Sequence, residues 1–132
     1  MRKIILDTNF LLIPSQFKVD IFSEIDRICS FNYKLLMFEQ SIGELRNIIE
    51  NQPGKDKKAA QLALKLVKLK NIGLIKSEPK DVDWLILHNL AEEDIVATLD
   101  MELKRELLEK RVSVIILRQK KYLQLFERKL YK

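Results

Sequence analysis

Five short, mainly apolar runs punctuate the chain: Ile4–Leu6, Leu35–Phe38, Ile72–Ile75, Ile95–Thr98 and Val112–Leu117. Between them lie longer stretches with apolar residues at helical spacing. Phe17, Ile21, Ile25 and Ile28 recur at i, i+4, i+8 and i+11. Ile42, Leu45, Ile48 and Ile49 give one face to Ser41–Glu50. Leu62, Leu66 and Leu69 predict the inward face of Lys55–Lys70, and Leu103 and Leu107 that of Asp100–Glu109. A further helix is expected from Asp81 to about Ala91, with Asp83, Leu87 and Leu90 on one face. Tyr122, Phe126 and Leu130 predict an amphipathic helix over Lys120–Lys132. Short apolar strands alternating with helices build a parallel sheet covered on both faces. The expected fold is therefore α/β, one domain over residues 1–132, in three layers.

The ends of these runs carry the chemistry. The first stops on Asp7-Thr8-Asn9, and the fourth runs through Thr98-Leu99 to Asp100. In open parallel sheets ligands bind beyond the carboxyl ends of the strands. Asp7 and Asp100 follow strands directly and so share that edge. Glu44 and Asp83 lie in the opening turns of helices that follow the second and third strands, and those turns open at the same edge. Each acid also fits a plainer role: Asp7 as a turn cap, Glu44 as a solvated side chain, Asp83 as a first-turn acid and Asp100 as an N-cap.

Clustered carboxylates repel, and a divalent cation removes the conflict. With one His and one Cys in the chain, no imidazole or thiolate metal site can be assembled. The ion would be hard and oxygen-ligated: Mg²⁺, Mn²⁺ or Ca²⁺. One ion, or two about 3.5–4 Å apart, could activate a water and clamp a phosphodiester. His88 falls mid-helix without an evident partner and reads as structural. Three glycines, Gly43, Gly54 and Gly73, make no phosphate-binding loop. Asn9 stands where a phosphatase of the haloacid type needs a second Asp. Cys29 fits a reducing, cytoplasmic compartment and buried packing. No export signal or membrane span is expected.

Charge comes in blocks. Residues 71–101 hold 2 Lys/Arg against 7 acids, whereas residues 55–70 hold 6 against 1 and residues 102–132 hold 10 against 4. An acidic middle between basic flanks suits a metal site beside a polyanion, and equally a well-solvated surface. Arg118, Lys120 and Lys121, just past the fifth strand, together with Lys104 and Arg105, are the expected contacts to such a polyanion.

Four blocks, Leu6–Leu11, Ser41–Leu45, Val82–Ile86 and Ile95–Arg105, the last running on to Val114–Arg118, resemble the successive motifs of PIN-domain ribonucleases. The likeness covers nearly the whole chain and is greatest to the archaeal and eukaryotic proteins of the ribosomal-RNA-processing type. It implies a five-stranded parallel sheet in order 3-2-1-4-5 and Mg²⁺- or Mn²⁺-dependent cleavage of single-stranded RNA. By position, Asp7, Glu44, Asp83 and Asp100 match the family's acidic quartet. Thr98 matches a supporting hydroxyl and Asn9 the amide of the first motif. Trp84 stands where related proteins often carry a second acid; it is expected to pack in the core or along its helix, with base stacking the alternative.

Three functions follow in order: an endoribonuclease in RNA processing or decay, a toxin with the same chemistry held by an antitoxin, and a non-catalytic RNA-binding or assembly module. The partners implied are RNA, a second copy in a homodimer, and an antitoxin or ribosome-assembly protein.

Overall fold

The computed structural model describes residues 1–127. Its six-stranded sheet has the order β3-β2-β1-β4-β5-β6. The strands are β1 (Arg2–Leu6), β2 (Tyr33–Phe38), β3 (Gly73–Ile75), β4 (Ile95–Ala97), β5 (Ser113–Arg118) and β6 (Tyr122–Phe126). The first five are parallel in the order 3-2-1-4-5. The order reverses between β1 and β4, where Leu6 lies opposite Ala97.

The central strand shows how the layers form. Ile4 and Leu6 face one way and Ile5 the other, because successive side chains in a strand alternate. Ile4 and Leu6 join residues of α1 (Ile13–Phe17), α2 (Ile21–Ile28), α3 (Gln40–Asn51) and α4 (Lys55–Leu69). Ile5 joins residues of α5 (Val82–His88) and α6 (Met101–Glu109). Each of the three is at most 1% exposed, and burying such a side chain stabilises by about 1.5–3 kcal/mol. This α/β/α sandwich is the architecture expected of alternating strands and helices.

Four local expectations give way. The helix expected from Phe17 to Ile28 is two, because Lys18 takes a left-handed conformation (φ 57°) and Asp20 starts α2 afresh. Asp20 Oδ1 accepts the Phe22 and Ser23 N–H groups at 3.1 and 3.2 Å. In α4 the inward face is Ala59, Ala60, Ala63 and Val67, whereas Leu62 is 37% and Leu69 75% exposed and Leu66 half-buried. Small residues let α4 approach its neighbours closely, and that decides the rotation over side-chain size.

Helix α5 stops at His88, short of Ala91, and buries Val82, Leu85 and Ile86. Leu87 and Leu90 are half-buried, and Asp83 lies outside the core stripe. Finally, residues 122–126 form a strand antiparallel to β5, not the start of a helix. Gln119 and Lys120 adopt left-handed φ values of 52° and 56°, and the Lys121 N–H donates to Arg118 O at 3.0 Å. That tight turn sends the chain back along the sheet, where Leu123 is buried. Leu130 of the expected helix lies outside the described residues.

Candidate active site

Asp7 leaves β1 beside the point where strand order reverses. Its N–H donates to Ala97 O at 2.9 Å, which extends the β1–β4 ladder one residue beyond Leu6. The residue is 3% exposed. Oδ1 accepts the Thr8 N–H at 2.9 Å, and Oδ2 accepts the Thr98 hydroxyl at 2.6 Å. Burial pushes this carboxyl up to about 6, with Asp83 and Glu44 adding to the rise and the bonds from Thr98 and Thr8 opposing it. Its negative form is disfavoured by the protein alone, which suits a group that meets a cation.

Thr98 follows β4 and is itself 1% exposed. While its hydroxyl donates to Asp7, it accepts the Asp100 N–H at 3.0 Å. Asp100 caps α6, its Oδ1 taking the N–H groups of Glu102 and Leu103 at 2.9 and 3.1 Å. Oδ2 takes neither. Asn9 Oδ1 accepts the Leu99 N–H at 3.2 Å, tying the turn after β1 to the loop after β4.

Glu44 approaches through Thr8. The Thr8 hydroxyl touches both Ser41 Oγ, at 2.7 Å, and Glu44 Oε1. A carboxylate only accepts, so Thr8 donates to Glu44 and accepts from Ser41. Asp83, in the first turn of α5, is exposed as a residue, yet its carboxyl is pushed upward. Partial burial is the main cause, followed by Asp100, Asp81 and Glu106.

The four acids thus lie at one edge and bear on one another in pairs: Asp7 with Asp83, Asp7 with Glu44, and Asp83 with Asp100. Among the described residues, no three His, Cys, Asp or Glu side chains are close enough to ring a single ion. Like charges repel, and Glu44 leans on Thr8. In donor chemistry, all carboxylate and hydroxyl oxygen, the set fits a hard divalent cation.

The pattern of the PIN like domain matches residues 4–120. The chain belongs to the PIN-like domain family. It is similar to "Ribonuclease VapC4" of Methanocaldococcus jannaschii, 34% identical over 128 residues that cover 96% of this chain and 98% of the relative. The fold resembles the PIN domain endonuclease Utp24, with a TM-score of 0.77 at 17% identity over 93% of this chain and 90% of that one. It also resembles a domain of a functionally unknown M. jannaschii protein, with a TM-score of 0.56 at 13% identity over 100% and 98% of the two chains. Against the PIN-like arrangement expected from the motifs, β6 is an added antiparallel strand.

Sequence alone gives no role to two hydroxyls of this PIN-like site, Thr8 and Ser41. The signal for Thr8 is a hydroxyl directly after an acid at a strand end. Ser41 is fully buried in the first turn of α3, and only the fold reveals its neighbour. Glu106 likewise comes near Asp83 only through the packing of α6 beside α5.

Of the expected RNA contacts, Arg118 ends β5 at the same edge, and Lys120 and Lys121 follow in the turn, all exposed. Arg105 lies 4.0 Å from Glu102, both well exposed. Lys104 turns its ammonium over the Phe126 ring, 5.1 Å from the centroid. Phe126 pairs with Val114 near the start of β5, so Lys104 points away from the acid edge. Trp84 is 36% exposed and packs along α5, stacked on His88, rather than in the core.

Proposed function

We propose that this PIN-like chain is a metal-dependent endoribonuclease that hydrolyses single-stranded RNA, of the VapC toxin kind. The observation that carries the reading is Asp7: a buried carboxyl at the strand switch point, pushed up to about 6 with Asp83 and Glu44 beside it. Asp7, Glu44, Asp83 and Asp100 would hold Mg²⁺ or Mn²⁺. Bound there, the cation supplies charge neutralisation, a more acidic water and a Lewis acid for the phosphodiester.

The chain's own residues prepare that site. Thr98 fixes Asp7 Oδ2 and, through the Asp100 N–H, sets the start of α6. Thr8 holds Glu44, and Asn9 braces the two loops. Arg118, Lys120 and Lys121 offer positive charge to the RNA backbone at the same edge.

The toxin reading takes precedence over ribosomal-RNA processing because the likeness to VapC4 is 34% over nearly all of both chains. At 17% identity the likeness to Utp24 speaks for the fold alone. An antitoxin that covers the site is then the expected partner.

The test is hydrolysis of a fluorogenic single-stranded RNA with Mn²⁺. Asp7→Asn is expected to abolish it while circular dichroism stays native. RNA binding that persists in chelator, with no cleavage under any divalent ion, would instead favour a binding module. Growth arrest on expression, relieved by a protein encoded beside it, separates the toxin from a processing enzyme.

A further inference from the structure

Trp84 is the chain's one tryptophan, and it sits on the surface, in the residue after Asp83. Its indole is held in place. The His88 imidazole lies against it with ring centroids 4.1 Å apart and planes 13° from parallel. His88 Nδ1–H donates to the Trp84 carbonyl at 2.8 Å, which fixes the second ring from the backbone. The Lys80 ammonium stands 5.5 Å from the indole centroid. Two near-parallel aromatic rings, partly bare to solvent, with a flexible cation beside them, contribute little to the core. The buried face of α5 is made by Val82, Leu85 and Ile86 instead.

We propose that Trp84 and His88 form a stacking shelf for an unpaired base of the RNA substrate, next to the acid cluster. The inference rests on the ribonuclease reading and adds to it how the strand is held. Unpaired bases are recognised by stacking on aromatic faces, and any base offers such a face. The shelf costs little ordering on binding, because the His88 contact and hydrogen bond already fix it. Asp83 shares the first turn of α5 with Trp84, so a base on the shelf brings its own backbone to the carboxylates. Lys80, on its flexible stem, then turns from the ring to a phosphate. Duplex RNA keeps its bases stacked internally and finds no use for the shelf.

The lone tryptophan makes the test direct. Oligouridine mixed in stopped flow with the Mn²⁺-loaded chain is expected to quench the indole emission before product appears. Inorganic polyphosphate, a polyanion without bases, is expected to leave it unchanged. Trp84→Leu should raise KM for oligouridine about tenfold, with a smaller fall in kcat, and Trp84→Tyr should bring KM back to within about threefold of the natural chain. Because Trp84 is on the surface, both variants keep the fold, which circular dichroism checks. If oligouridine is cut while the emission stays constant, or if Trp84→Leu leaves KM unchanged, the shelf is overturned and the nuclease reading stands. If the natural chain neither binds nor cuts single-stranded RNA, both fall.

Discussion

The Thr98 hydroxyl gives its one proton to Asp7 Oδ2 at 2.6 Å and takes the Asp100 N–H at 3.0 Å. A single oxygen thus couples the acid after β1 to the acid after β4. Replacing it with the near-isosteric Thr98→Val removes both bonds without opening a cavity. A buried Asp7 deprived of that donor is pushed further up from its already raised value. Groups that orient metal ligands typically matter by about 10–100-fold in affinity or activity. Thr98→Val is expected to fall in that range for Mn²⁺ affinity, measured by isothermal titration, and Thr98→Ser to restore most of it. Equal affinities for the Val and Ser forms would remove Thr98 from the site.

Asp7 also links the site to stability. Its carboxyl moves from 3.8 to about 6 on folding, chiefly through burial. The folded chain therefore holds this proton more tightly than the unfolded chain. Stability falls as pH rises from about 4 through 6, and above that the full penalty for the buried charge applies. Two units correspond to about 3 kcal/mol. Asp7→Asn keeps the shape, removes the charge and loses part of the hydrogen bonding. In chelator at pH 7.5 it is expected to be more stable than the natural chain, by about 1–3 kcal/mol in urea denaturation. Added Mn²⁺ should then stabilise the natural chain but not Asp7→Asn. A less stable Asp7→Asn in chelator would contradict the raised value.

Metal binding must displace that proton. Below about pH 6 an increasing fraction of Asp7 is protonated, and each binding event releases a proton. Mn²⁺ affinity is expected to fall about tenfold for each pH unit below 6. Calorimetry in buffers of different ionisation enthalpy would count the protons released. A pH-independent affinity between 5 and 7 would separate Asp7 from the metal.

The legible parts of the molecule were those with local signals. β1, β2, β4 and β5 are apolar runs with abrupt polar ends, and Asp7 and Asp100, just past β1 and β4, mark the edge directly. What escaped depended on the approach of distant segments. Leu62 and Leu69 have the hydrophobicity of a core face, yet Ala59, Ala60 and Ala63 are the residues buried where α4 packs against α3 and α1. Tyr122 and Phe126 fit period four, whereas Leu123 and Leu125 fit period two. In so short a segment only pairing with β5 decides. Ser41 meets Thr8 across 33 positions, a contact that no spacing rule encodes.

β6 raises one last question, because an added strand brings a new open edge, and open edges recruit other chains. Leu123 shows how this one is closed. Its N–H donates to Glu24 Oε1 at 2.9 Å, and its carbonyl accepts from Arg27 Nη2 at 3.1 Å. Glu24 and Arg27 are themselves paired along α2 at 2.8 and 2.9 Å, so one ion pair satisfies both outward groups of the residue. Arg27 beside it holds the Glu24 carboxyl below its usual range. Glu24→Ala leaves the Leu123 N–H bare and frees Arg27. The expected loss of stability is small, about 1 kcal/mol. The larger effect is on association, since β6 then presents unpaired backbone to a second β6. Analytical ultracentrifugation should show Glu24→Ala associating at concentrations where the natural chain does not. If Glu24→Ala sediments like the natural chain across the same range, the ion pair does not guard the edge.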